Sequence, residues 1–111
     1  MNIDLTPEVL LSQLGYSKTE QSLEQMKKII NNTSNFKKFS NHILSLNDNL
    51  APLKGFIAMS NSHNNLKIKG SQDTSDEIAK AFAEKVKNWA KKYKVEIQKV
   101  SQKPTYYIIG Q

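Results

Sequence analysis

The side chains that could carry catalysis in this chain are few, and their spacing matches no catalytic pattern. The two histidines are His42 and His63, and cysteine is absent. Ser60 and Ser62 closely precede His63, but a catalytic triad is assembled in three dimensions and needs an acid that orients the histidine. The sequence offers no candidate for that acid here. We therefore predict no catalytic residue and a protein that is not an enzyme.

Side chains that could bind metals or phosphates are equally sparse. His42 falls within an apolar helical pattern, where a histidine more often borders a core, and His63 lies in a polar segment typical of a solvated loop. Asp73, Asp76 and Glu77 could hold a cation, but acids at a helix start are explained by the helix dipole. The four glycines are scattered, so no phosphate-binding loop is expected. We predict no metal site, no cofactor and no small-molecule substrate.

The length and composition are those of an ordinary globular domain. A chain of 111 residues with 38% hydrophobic and 23% charged residues suits one domain, 1–111. No apolar run approaches the roughly 20 residues that cross a bilayer. The first eight residues are acidic, whereas a signal peptide begins with basic residues. We expect a cytoplasmic protein that does not contact a membrane.

The first half of the chain is dominated by helical apolar spacing. Two short helices are predicted at 7–14 and 18–31, each with an N-terminal cap and an apolar side. A third stripe has spacings of three and four, which indicate one long helix, 35–60. We call this stripe the seam. Its members are Phe36, Phe39, Ile43, Leu46, Leu50, Leu53 and Ile57.

Pro52 interrupts the seam and leaves two interpretations. Proline removes a backbone donor and clashes one turn back, yet the apolar repeat continues in phase beyond it. We favour a helix that is kinked at Pro52 and continues to residue 60. In the alternative, residues 56–60 form a strand that turns through 61–65 onto 66–69.

The second half predicts a β-α-β-β module over 66–110. Alternation indicates a strand at 66–69, acids and lysines at opposite ends indicate a helix at 74–93, and two β-rich segments, 94–100 and 105–110, form a hairpin. The predicted fold is therefore α+β, with an N-terminal helical bundle over 1–60 that includes a long kinked helix, followed by a three-stranded sheet.

The lysines of the second half suggest a nucleic-acid alternative. Residues 1–60 carry a net charge of +1 and residues 61–111 carry +5, but all 16 basic residues are lysine, and arginine is the residue that grips phosphate and guanine bidentately. Consecutive tyrosines in a strand point to opposite faces, so only one can join a stacking surface. Nucleic acid is therefore disfavoured as a partner. The residues of this alternative surface are Lys67, Lys69, Lys91, Lys92, Lys94 and Tyr106.

Protein binding is the function that the helices favour. The three predicted helices offer more apolar faces than one small sheet can cover, so some faces are available to a helical partner. The alternative is that the helices bury one another in a self-sufficient core. The residues predicted to bind the partner are Leu10, Leu14, Leu23, Met26 and Ile30.

Five segments follow one another over residues 35–111: the seam helix with SLNDNL at 45–50, FIAMS at 56–60, LKIK at 66–69, WAKKY at 89–93 and YYIIG at 106–110. In the order of these parts the chain resembles a co-chaperone family of the flagellin export chaperone in Helicobacter- and Campylobacter-type bacteria. The resemblance implies a helix-rich bundle with three strands that binds the flagellin export chaperone and assists it against aggregation. It carries over no catalytic residue and no binding motif.

Overall fold

The computed structural model describes residues 6–60 and 63–111, and its elements are those of an α+β fold. The helices in this part of the chain are α1 (Pro7–Gln13), α2 (Glu20–Asn32), α3 (Phe36–Leu50) and α4 (Asp76–Tyr93). The strands are β1 (Phe56–Met59), β2 (Leu66–Lys69), β3 (Glu96–Lys99) and β4 (Thr105–Gly110). The α+β class predicted from the sequence is therefore confirmed.

The helices begin at side-chain caps. The Thr6 hydroxyl accepts a hydrogen bond from the amide of Val9 at the start of α1, and the Ser75 hydroxyl caps α4 in the same way. A reciprocal pair, Thr19 and Ser22, caps α2. Among the described residues, no helix is both long and apolar enough to cross a membrane.

The predicted long kinked helix is wrong, because α3 ends at Leu50. A 3-10 turn over Ala51–Leu53 follows, and Lys54 then adopts a left-handed conformation with φ of 59°. The amide of Gly55 donates to the carbonyl of Leu50 at 2.9 Å, which is the hydrogen bond of a helix C-terminal motif. A left-handed residue changes the direction of the backbone and ends the helix. The apolar spacing therefore continues beyond Pro52 in the sequence, although the residues after Lys54 are no longer helical.

The strand alternative for residues 56–60 is confirmed over Phe56–Met59, which changes the sheet. The described strands form one antiparallel sheet in the order β1-β2-β4-β3, so the predicted three-stranded sheet lacked its β1 edge. Ile57 lies opposite Ile68, and Ile68 lies opposite Tyr106. Of the predicted turn between β1 and β2, residues 61 and 62 lie outside the described residues.

One core joins the helices to the sheet. Five seam residues remain on α3 and are buried, while Ile57 is buried from the strand. The ring of Phe82 in α4 lies over Gly55 and Gly70, where an added Cβ would come within 2.6 Å and 2.8 Å of it. The indole nitrogen of Trp89 donates to the carbonyl of His42 at 3.0 Å and so ties α4 to α3.

Candidate binding surfaces

The two faces of the sheet carry different side chains. Ile57, Ile68 and Tyr106 share one face and are at most 3% exposed. Because successive strand residues alternate between faces, their neighbours point to the other side. We call this other side the outer face. Its solvent-reaching residues are Phe56, Lys67, Lys69, Gln98, Tyr107 and Ile109.

The outer face combines exposed apolar groups with amines. Phe56 is 48% exposed, and the other large apolar side chain that the described residues expose is Val9 in α1, at 37%. Tyr107 is half-buried and lies between Lys67 on one neighbouring strand and Gln98 on the other. Aromatic side chains are enriched in surfaces that bind macromolecules.

A polar groove of about 440 Å³ lies beside this face, between α2 and the loop that joins β1 to β2. The side-chain amide of Gln25 donates to the backbone carbonyl of Ser60 at 2.7 Å, and the side-chain amide of Asn32 donates to the backbone carbonyl of Asn64 at 2.8 Å. These hydrogen bonds hold the helix against the loop. The groove is lined by Gln21, Glu24, Gln25, Lys28, Ser60, His63 and Asn64.

Ser60 and His63 both line the groove and are joined by a hydrogen bond that involves the backbone of the histidine. Ser60 is only 2% exposed, and its hydroxyl accepts a hydrogen bond from the backbone amide of His63 at 3.2 Å. The imidazole of His63 instead contacts the ring of Tyr107, with centroids 4.9 Å apart. Ser62 lies outside the described residues. The contacts described for this serine and histidine support the loop and the outer face.

His42 borders the core, as its position in the seam helix predicts. Its ring stacks on that of Tyr93 with centroids 3.7 Å apart and planes inclined by 15°. Asp76 and Glu77 lie in the first turn of α4, next to the Ser75 cap. Within residues 6–60 and 63–111, no group of three or more histidines or acids is arranged to hold a metal ion.

The residues predicted to bind a helical partner lie in or against the core. Leu10 and Met26 are fully buried, while Leu14, Leu23 and Ile30 are partly buried and pack against the same cluster. The sequence did not reveal this because α1 and α2 turn their apolar sides towards each other and towards the core. In this fold, Leu10 and Met26 are not accessible to a partner.

The residues of the nucleic-acid alternative do not share one surface. Tyr106 is 3% exposed and faces Phe82 of α4, with ring centroids 6.4 Å apart, and burial raises the pKa of its phenol. The outward tyrosine is Tyr107. The strand at 105–110 is apolar on both faces, so its alternation could not identify the outward side.

The predicted lysines divide between opposite sides of the sheet. Lys67 and Lys69 belong to the outer face, whereas Lys91, Lys92 and Lys94 lie at the end of α4, which packs on the core side. The five lysines therefore do not share one face of the sheet. Only the β2 lysines lie on the same face as Tyr107.

Comparison with known proteins gives no relative from which a function could be carried over. No protein-family model matches the chain, and neither the curated proteins nor the solved structures include a significant match.

Proposed function

We propose that the protein is a non-enzymatic binding protein whose outer face docks on another protein. The observation that carries this proposal is the 48% exposure of Phe56 on a sheet face that also presents Tyr107 and Ile109. Covering a large exposed aromatic side chain with a partner lowers the free energy of the complex, and such residues commonly dominate the binding energy of protein interfaces. Lys67 and Lys69 lie on β2 between Phe56 and Tyr107, and Gln98 lies beyond Tyr107 on β3.

The partner that we propose is the flagellin export chaperone, as the sequence resemblance implies. Binding to the folded chaperone and not to its unfolded form would stabilise it by mass action and reduce its aggregation. The protein would then be a cytoplasmic co-chaperone. The docking surface differs from the one predicted from the sequence, because Leu10 and Met26 are buried and the outer face is accessible.

The proposal is tested by a matched pair of substitutions. Phe56→Asp places a charge at the most exposed apolar side chain of the proposed interface and should weaken binding to the purified chaperone at least tenfold in isothermal titration calorimetry. Val9→Asp makes the same change at the other exposed apolar residue, on α1, and should leave the affinity within twofold. Circular dichroism should show both variants folded.

Either of two results would contradict this proposal. Absence of binding by the unmodified protein would reject the chaperone as the partner. Equal effects of Phe56→Asp and Val9→Asp would reject the outer face as the docking surface, even if the chaperone binds.

A second candidate function is single-stranded nucleic-acid binding by the same face. The observation that favours it is the pairing of Tyr107 with Lys67, which places a ring that could stack on a base beside an amine that could bind phosphate. A fluorescent oligothymidine should then bind with an affinity that falls steeply with salt, and Tyr107→Ala should weaken it about tenfold. Binding that is insensitive to salt would count against this function.

A further inference from the structure

The β1 edge of the sheet is closed by side chains. The amide of Ser60 donates to the carbonyl of Asn65, which directly precedes β2. Inward and outward amides alternate along an antiparallel strand, so the amides of Ile57 and Met59 point away from β2. Both have acceptors. The amide of Ile57 donates to the side-chain oxygen of Asn47 at 2.8 Å, and that of Met59 donates to the hydroxyl of Tyr16 at 3.0 Å.

The β3 edge has no such closure. Val100 donates its amide to the carbonyl of Thr105 at 2.8 Å, so the backbone groups of Ile97 and Lys99 point away from β4 by the same alternation. Within the described residues, no side chain accepts a hydrogen bond from either amide. Glu96, Gln98 and Lys99 are exposed along this edge, and Ile97 is half-buried.

The charge around the β3 edge is basic. Lys94, Lys99 and Lys103 are exposed beside one acid, Glu96. The amine of Lys99 contacts the carbonyls of Val100 and Lys103, both at 3.3 Å, and therefore stays at the hairpin end of the edge. Three lysines and one acid give each edge a net charge of +2, so two copies of the edge would repel each other overall. An acidic segment complements the edge better than a second copy does.

We propose that β3 accepts an extended acidic segment of a partner protein as a fifth strand. The backbone of Ile97 and Lys99 would exchange hydrogen bonds with the segment, and lysines on the edge would select acidic side chains from it. This site shares only Gln98 with the outer face, and the inference does not depend on the partner proposed above. β1 could not accept a strand in the same way, because its outward amides already have acceptors.

The first experiment measures amide hydrogen exchange by NMR with a defined probe, the capped peptide (Val-Glu)3. At millimolar peptide, exchange at Ile97 and Lys99 should slow at least tenfold. The capped peptide (Val-Lys)3 should have no such effect, because its charge matches that of the edge. Protection by neither peptide, or equally by both, would overturn the inference.

Two variants separate the backbone contact from the charge. Lys99→Pro removes the outward amide and the charge, whereas Lys99→Gln removes only the charge. We expect Lys99→Gln to lower the affinity for (Val-Glu)3 moderately and Lys99→Pro to abolish binding of this peptide. Phe56→Asp should leave the affinity for the peptide unchanged. Equal binding by the two Lys99 variants would exclude strand addition.

The protein without peptide supplies the remaining test. Exchange at Ile97 and Lys99 should not depend on protein concentration. Protection that increases with protein concentration would identify a second copy as the occupant and would overturn the proposed acidic partner.

Discussion

The two edge strands of the sheet, β1 and β3, have equal lengths of four residues and differ in what covers them. Three residues of β1 are buried, and its outward amides are bonded to Asn47 and Tyr16. No residue of β3 is fully buried. The difference comes from the rest of the chain, since α3 and the segment before α2 supply the acceptors for β1.

This comparison teaches that an edge can be protected in two ways. At β1, distant side chains accept hydrogen bonds from the two outward amides, so that neither donor remains for another strand. At β3, protection is limited to a short strand and to charged side chains, which repel like-charged strands but admit complementary ones. The first kind of protection removes the amide donors that any added strand would need, whereas the second kind leaves them available to a strand of complementary charge.

The largest expected effect distinguishes the inward from the outward backbone groups of β3. Gln98 pairs with Tyr107, and its amide faces β4 by the alternation described above. Gln98→Pro should therefore remove a ladder hydrogen bond and lower the free energy of unfolding by about 2–3 kcal/mol. Urea denaturation measures this change. Gln98→Ala, the control, should cost less than about 1 kcal/mol.

The next largest effect comes from removing the acceptor that α3 supplies to β1. Asn47→Ala leaves the part-buried amide of Ile57 without its acceptor and should lower the free energy of unfolding by about 1–2 kcal/mol. Asn49→Ala changes an exposed residue of the same helix and should stay within about 0.5 kcal/mol. Helix propensity favours alanine over asparagine at both positions, so equal losses in urea denaturation would contradict the closure of β1 by Asn47.

Tyr16→Phe tests the other closure of β1. It removes only the hydroxyl that accepts from Met59 and should cost about 1 kcal/mol in urea denaturation. Combined with Asn47→Ala, it should add to that loss within about 0.5 kcal/mol, because the two acceptors serve different amides.

The double variant also tests whether closure prevents association. With both acceptors removed, β1 presents unpaired amides, and we expect light scattering after size-exclusion chromatography to detect self-association that the single variants lack. A monomeric double variant would show that burial of β1, and not hydrogen bonding, prevents pairing.

The smallest effect belongs to Lys99→Pro. Proline is tolerated on an edge strand where the missing amide faced solvent, so the free energy of unfolding should change by less than about 0.5 kcal/mol. The same substitution at position 98 supplies the contrast. If Lys99→Pro were as costly as Gln98→Pro in urea denaturation, the assignment of outward groups in β3 would be wrong.

The sequence predicted the elements that depend on local signals. The strand at 66–69 was predicted with its observed ends, and the helix predicted at 74–93 begins at Asp76, just after its Ser75 cap. Local signals failed at β1. Ile57 continues the seam in phase, and only the left-handed Lys54 and the acceptors Asn47 and Tyr16 explain why it lies in a strand.

The binding surfaces were predicted less well, because exposure is a property of the packed molecule. Leu10 and Phe56 are both apolar residues in amphipathic surroundings, yet one is fully buried and the other is 48% exposed. Tyr106 and Tyr107 are neighbours of the same type whose roles depend on which face α4 covers. No local pattern contains that information.

Phe82 and its two glycines bear on the order in which the molecule assembles. Gly55 precedes β1 and Gly70 follows β2, so the two meet at the open end of the hairpin and together contact the ring only once the strands are in register. We therefore expect α4 to dock after the hairpin has closed. Methyl groups at both glycines would block this last step, leaving an intermediate with a paired hairpin and an undocked α4.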